Sequence, residues 1–247
     1  MTTNRPFVLC IAGFDPTAGA GILSDIKTCE TIGTYGLGVT TATTFQNDHT
    51  FYNLTWNSIS DISFQLDSII NEYPITAVKI GLVENLTVLQ FILEKLKHSL
   101  SGAPIIWDPI IKASAGHAFH SSFDRQQLVQ VLDNINLLTP NIPEFEIIKS
   151  HLDLSSPGEF AKKHCSILLK GGHNQTNAND VLWTSEMEHE LVAERIEGGK
   201  HGTGCVLSSA IASYLALENE LPMACAIAKN YTLQFIESNE SNLGYHS

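Results

Sequence analysis

Positive charge is scarce in this chain. Fourteen Lys and Arg stand against twenty-six Asp and Glu among 247 residues, a formal net charge of -12. That balance excludes a broad electrostatic grip on nucleic acid or on an anionic membrane surface, so any phosphate must be held locally by backbone amides and a few cations. Long apolar runs are missing too: nothing approaches the length that spans a bilayer, and the first apolar segment breaks at Gly13 and Pro16. The expectation is a cytoplasmic protein with neither nucleic-acid nor membrane partners. Cysteine is sparse: Cys10, Cys29, Cys165, Cys205 and Cys225 form no C-x-x-C pair and are odd in number, which argues against a disulfide framework or a zinc site. The histidines show no H-x-x-x-H ligand spacing. No linker, low-complexity tract or internal repeat divides the chain, so residues 1–247 are expected to form one domain.

What is there alternates. "FVLCIAG" reads as a strand buried on both faces, and "AGILSDIKTCETIG" as the helix after it, with Gly33 as its cap. "AVKIGLV" precedes a helix at about Asn85 to Lys97, "PIIWDPII" and "INLLTPN" follow, a helix begins at Pro143, and "SILLKGG" comes after another helix. Strands alternating with helices predict a mostly parallel sheet covered on both sides, with ligands at the carboxyl ends of the strands. Gly13, Asp15, Lys79, Gly81, Asp108, Asn141, Lys170, Gly171 and Gly172 fall at those ends. "GLGVTTATTFQND" and "TFYNLTWNSI" interrupt the rhythm and read as strands of an edge or flap beside the site.

Four short stretches can carry chemistry, each with a plainer reading. "FDPTAGAGI" puts small residues before a helix, which lets backbone approach a ligand, but it is neither G-x-G-x-x-G nor a P-loop and could be a structural turn. Asp25, one turn after Gly21, could be an exposed helix carboxylate. In "TPNIPEFE", Asn141 and Glu144 suit a helix cap with its reciprocal carboxylate, and Glu144 equally suits a hydrated Mg²⁺. "LLKGGH" ends a strand on Lys170 and two glycines, a corner that could face phosphate or solvent. "GGKHGTGC" leads into the helical "VLSSAIASYLA". The amides of Gly202, Thr203 and Gly204 would open that helix toward an anion, and its field would lower the Cys205 pKa; the plainer reading is a turn followed by a buried thiol.

Seven ordered blocks, "IAGFDPTAGAGILSDIKT", "TFQN", "VKIGLV", "WDPIIKASAGH", "LLTPNIPE", "LLKGGH" and "HGTGCVLSSAIA", resemble the hydroxymethylpyrimidine and phosphomethylpyrimidine kinases of thiamin biosynthesis, in the ribokinase-like superfamily. The likeness runs from about Phe7 to about Ile236, and the G-T-G-C block is its most specific part. The resemblance implies a three-layer αβα sandwich with a mostly parallel central sheet and a small edge flap. It implies Cys205 as the catalytic base, where the sugar kinases of the superfamily commonly carry aspartate, with Gly202, Thr203 and Gly204 as the anion hole. Gly13, Asp25 and Gln46 fall where the family holds the pyrimidine. Asp108, Asn141, Lys170 and Gly172 fall on the nucleotide and phosphate side, and Glu144 at the metal. ATP, Mg²⁺ and a homodimer follow from the same likeness. The chain departs from the family pattern at Phe14, where a small residue is usual, and at Ala18, where a second glycine is usual. "TTFQND" is bulkier than the common form and "NLGYHS" is an abbreviated ending. The implied activity is phosphorylation of 4-amino-5-hydroxymethyl-2-methylpyrimidine and of its monophosphate. Pyridoxal kinase is the enzymatic alternative, and a non-catalytic pyrimidine-binding regulator is the alternative from another class.

Overall fold

The run FVLCIAGF becomes strand β1 (Phe7–Phe14), and its alternation sorts the whole interior. Leu9 and Ile11 enter one apolar layer while Val8, Cys10 and Ala12 enter the other, as successive side chains of a strand must. In the computed structural model, which describes residues 5–100, 102–111, 123–173, 178–196 and 199–247, β1 is flanked in parallel by β2 (Tyr35–Gln46) and β4 (Ile75–Ile80). The parallel sheet continues through β5 (Ile105–Trp107), β6 (Leu137–Leu138) and β7 (Ser166–Leu169). Antiparallel β8 (Asp180–Trp183) and β9 (Glu188–Leu191) complete one side. On the other side β3 (Phe51–Trp56) pairs antiparallel with the end of β2, giving the order β3-β2-β1-β4-β5-β6-β7-β8-β9.

Helices cover both faces. One layer holds α2 (Ile59–Asp67), α3 (Leu86–Ser99), α4 (Arg125–Leu132), α5 (Ile142–Leu152) and α6 (Pro157–Lys163), which bury Ile62, Leu89, Leu128, Phe145 and Phe160. The other holds α1 (Gly21–Ile32), α7 (Thr203–Ala216) and α8 (Leu221–Glu237), packed through Ile22, Cys29, Val206, Ile211, Cys225 and Phe235. The architecture is therefore the three-layer αβα sandwich with a mostly parallel sheet that the resemblance implies. Each such side chain, removed from water, contributes about 1.5–3 kcal/mol.

Local signals explain the boundaries. Asn85 caps α3 by accepting from the Val88 N–H at 3.0 Å, and Gly33 ends α1 with a φ of 101°. Asn141 and Glu144 form the reciprocal capping box that opens α5, their bonds 2.9 and 2.8 Å long. The expected strand through "TFYNLTWNSI" stops at Trp56, because Ser58 accepts from the Asp61 N–H and starts α2. The end of β2 with β3 forms the edge flap, whereas β8 and β9 were not foreseen. Residues 112–117 of the "WDPIIKASAGH" block, Gly198 and the side chain of His173 lie outside what the structure describes.

The departure at Ala18 has a backbone meaning. Ala18 donates to the Asp15 carbonyl at 3.0 Å and sits at a φ of 56°, in the left-handed region where a Cβ is crowded. Ala18→Gly is expected to raise stability by up to about 1 kcal/mol, because relief of that crowding outweighs the extra freedom of glycine in the unfolded chain. Urea unfolding checks it, and an unchanged or lower midpoint refutes it.

Candidate active site

The carboxyl ends of the parallel strands open onto a cavity of about 720 Å³. Gly13 and Asp15 at the end of β1, Leu82 after β4, Asp108 after β5, Asn141 after β6 and Lys170 after β7 all line it. Gln46 and Phe51 of the flap line it on the β2 side, Asp180, Gly172 and Lys229 on the β8 side, and Gly202 to Cys205 along α7. Eleven of the twelve residues to which the resemblance assigns a role, all but Asp25, thus line one cavity, as does Asp15, whereas Lys79, Gly81 and Gly171 of the expected strand ends do not.

Two backbone turns meet there without room for side chains. A Cβ on Gly202 would stand 2.0 Å from the Gly19 carbonyl oxygen, and one on Gly21 would stand 2.2 Å from that of Gly13. Gly202 caps α7 at a φ of 79° with no side-chain cap, and the Thr203 hydroxyl donates instead to the Lys200 carbonyl at 2.7 Å. The first-turn N–H groups of α7 therefore lack intrahelical acceptors on a stretch that lines the cavity. A Cβ on Gly204 would lie 3.3 Å from Lys170 Nζ and 3.5 Å from Asp108 Oδ2. Backbone and cation thus share one corner.

Asp15 ties the two turns together. Its carboxylate accepts from the N–H groups of Thr17 and Ala20 at 2.9 and 3.0 Å and pairs with His201 Nε2 at 2.8 Å. Burial alone would raise this carboxyl, but the hydrogen bonds from His201 and Thr17 outweigh it and hold it below its usual value. The C-terminal segment reinforces the joint. Lys200 donates to the carbonyls of Asn239 and Ser241, and the His201 N–H donates to Asn242 O at 2.9 Å. Asn242 also meets His49 of the flap at 3.0 Å.

On the opposite side Lys170 donates to Asp108 Oδ1 at 2.7 Å, which leaves Glu144 as the other carboxylate of that corner. Burial raises Glu144 above the ordinary carboxylate range, with Lys170 opposing. Burial also works against the Lys170 ammonium, but Asp108 and Glu144 outweigh it and hold its pKa above the usual lysine value. Asp180 braces the neighbouring turn: its Oδ1 accepts from the Gly171 N–H at 2.8 Å, and its Oδ2 lies 2.9 Å from Lys229 Nζ of α8. Asp180, Lys229 and the Asp15–His201 joint have no assigned role in the sequence reading, where each is a lone polar residue; the signals there are the strand-end position of Asp15 and the nearness of His201 to the G-T-G-C stretch.

Two expectations change. Asp25, expected against the pyrimidine, does not line the cavity: it is fully buried, and Lys79 Nζ donates to its Oδ2 at 2.6 Å. Cys205, expected to be acidified by the helix field, goes the other way. Burial pushes its thiol up to about 11, with Lys79 and the backbone of Gly21 pulling down and Asp25 and Asp108 pushing up.

A mostly parallel sheet covered on both faces by helices, with an uncapped helix N-terminus and a flap at the cavity over the strand ends, defines a ribokinase-like α/β protein. Solved structures share the fold. A phosphomethylpyrimidine kinase from Clostridium difficile 630 has a TM-score of 0.77 at 30% identity, covering 93% of this chain and 99% of that chain. The pyridoxal kinase from Staphylococcus aureus in complex with AMP-PCP reaches 0.84 over 96% and 90%, at 22% identity, a likeness of fold alone. The family model of phosphomethylpyrimidine kinase matches residues 15–247, and the chain belongs to that family. The hydroxymethylpyrimidine/phosphomethylpyrimidine kinase of Aquifex aeolicus (strain VF5) is 34% identical over 249 residues, covering 96% of both chains.

The buried thiols set an alkaline limit on stability. Burial raises Cys205 to about 11 and Cys225 to about 12, while an unfolded thiol titrates near 8.5. Their contribution is complete below about pH 8.5 and is lost as pH rises toward those folded values, because only the unfolded chain ionises in between. Urea unfolding across that range should show stability falling by about 1.4 kcal/mol per pH unit for each thiol, and Cys225→Ala should flatten the slope. An identical slope in the variant refutes the assignment.

Proposed function

We propose that the chain is a single kinase domain that transfers phosphate from ATP to the hydroxymethyl group of 4-amino-5-hydroxymethyl-2-methylpyrimidine, and then to the resulting monophosphate, in thiamin biosynthesis. One observation carries the reading: the Cys205 thiol and the uncapped start of α7 stand on the same cavity as Gln46 on one side and Lys170 with Asp108 on the other. The Gln46 amide offers both a donor and an acceptor, which matches the edge of an aminopyrimidine. The substrate oxygen attacks the terminal phosphorus, the bond to the departing ADP breaks, and the hydroxyl proton passes to the Cys205 sulfur in its thiolate form, the burial-raised pKa making that form a minor but strongly basic species. The Gly202 to Gly204 amides and Lys170 face the charge that spreads over the phosphoryl oxygens.

The donors also fit Mg²⁺. Glu144 is a buried hard-oxygen ligand on the cavity wall, and no group of three metal-binding side chains is assembled among the described residues, so phosphate oxygens and water would complete the shell. When bound, the ion neutralises phosphate charge. Asn141 orients Glu144 through the capping box. We also propose a homodimer working in the cytoplasm, its contact on the side of the molecule where Phe45 and Tyr52 of the flap and Phe64 of α2 are exposed. No described helix is long and apolar enough to cross a membrane.

Incubating the protein with MgATP and the aminopyrimidine alcohol, then weighing the products, tests the reaction; pyridoxal serves as the competing substrate. Cys205→Ala is expected to keep the fold and ligand binding while turnover drops about 10²–10⁴-fold. Full activity would instead assign transfer to the anion hole alone. Gln46→Leu is expected to weaken pyrimidine binding by about 1–3 kcal/mol in calorimetry, and unchanged affinity removes Gln46 from the substrate contacts.

Glu144→Gln retains the cap but loses the charge, so the variant is expected to fold normally and require more Mg²⁺ for the same rate. An unchanged Mg²⁺ dependence leaves Glu144 with capping alone.

A further inference from the structure

The stretch that leads into α7, "GGKHG", holds three glycines, and α7 itself starts without a side-chain cap. Glycine has the most backbone freedom to lose, so a turn of that composition is fixed in place by contacts from outside it. Lys200, in the middle of the stretch, lines the cavity. A cation in that place invites the reading that it grips phosphate.

Its hydrogen bonds point elsewhere. An ammonium has three N–H donors, and Lys200 Nζ directs all three at the segment after α8: the carbonyls of Asn239 and Ser241, and Asn239 Oδ1 at 3.2 Å. The next residue adds a backbone bond, from the His201 N–H to Asn242 O at 2.9 Å. Leu243 then packs against the first Gly-rich turn. A Cβ on Gly19 would stand 2.6 Å from Leu243 Cδ2 and 2.8 Å from His201 Cδ2, so Gly19 is bare where the leucine and the histidine meet it.

The gripping segment is itself held in shape. Asn239 Oδ1 accepts from the Ser241 N–H at 2.8 Å and Asn239 Nδ2 donates to Leu243 O at 2.9 Å, which closes a tight loop. Gly244 then passes so close to α8 that a Cβ would stand 2.6 Å from the Phe235 ring. His246 follows, its Nδ1 3.0 Å from the Tyr231 hydroxyl and its ring 4.9 Å from that of Phe235. The anchors are on α8 and the grip is on the turn before α7. We propose that Lys200 is a positioning residue for the reaction: clasped by residues 239–243, which Gly244 and His246 anchor on α8, it holds the Gly202–Cys205 turn in the place that phosphoryl transfer requires. Phosphate is left to the amides of that turn and to Lys170.

This inference rests on the Gly202–Cys205 turn as the site of transfer, and its test has a readout that needs no turnover. Cys205 is buried at the end of that turn, and Cys165 is buried in the opposite helix layer, just before β7. Iodoacetamide labelling of the native protein, followed by mass spectrometry of both cysteine peptides, reads local opening at the first and general opening at the second. Lys200→Met keeps most of the stem and loses the donors. Gly244→Ala leaves Lys200 intact and displaces its clasp from the Phe235 ring. Both variants are expected to label Cys205 at least about threefold faster than the parent, with Cys165 unchanged. Both are expected to lower kcat about 10–100-fold while KM for ATP stays within about twofold. A raised KM for ATP in Lys200→Met alone overturns the proposal and makes Lys200 a phosphate ligand. Parent-like labelling and kcat in both variants overturn it too, as does equal acceleration at Cys205 and Cys165, which is what general loss of stability gives. If the parent shows no kinase activity, the labelling pattern still decides whether Lys200 holds the turn.

Discussion

Everything at the cavity depends on a backbone contact that excludes side chains. The start of α7 rests on the carbonyl of Gly19, and the start of α1 rests on the carbonyl of Gly13, at separations where a methyl group would overlap the oxygen. Because of this, two helix N-termini from opposite ends of the chain reach the same few ångströms of space. Their unpaired N–H groups and their dipoles add. Around that contact the polar joints are short and local: Asp15 to His201 on one flank, Lys170 to Asp108 on the other, and Lys79 to Asp25 beneath. A chain with net charge -12 can hold phosphate here because its few cations are placed and braced rather than numerous.

The sheet frame was legible because its signals are local. Continuous β-branched runs ending in glycine gave β1, β4 and β7, and Asn85, Asn141 and Gly33 marked helix ends by their own hydrogen-bonding chemistry. Strands β8 and β9 were not, since "DVLW" and "EHEL" are short and one of them is largely charged. At the site, the residues read from motifs reached one cavity because motifs record where backbone must come close. What failed was anything set by exclusion of water. The sequence shows that Cys205 begins a helix, and from that alone a lowered pKa follows; it does not show that the thiol is buried, which reverses the direction. Asp25 was misplaced for the same reason, because its place against Lys79 is decided by how α1 packs between the sheet and α7.

At Glu144 the capping reading is built, and the proposed metal role would use the same carboxylate. Its Oε2 accepts from the Asn141 N–H, so the capping role is built, yet the same carboxylate is buried on the cavity wall beside Lys170 and Asp108. Burial without a second function would be an odd place for a cap, since an exposed carboxylate caps equally well. The cap fixes the rotamer, and a fixed rotamer is what a ligand at that corner requires.

The joint between Asp15 and His201 links positions 186 apart in sequence. A contact of that span closes a long loop, and its entropy is recovered only when β1, β4 and the helices between are already in place. The cavity is therefore a property of the closed fold, since its wall needs residues from both ends of that loop. Ligands that enter it recognise the finished molecule, so each stabilises the native state by an amount that grows with its concentration relative to its dissociation constant.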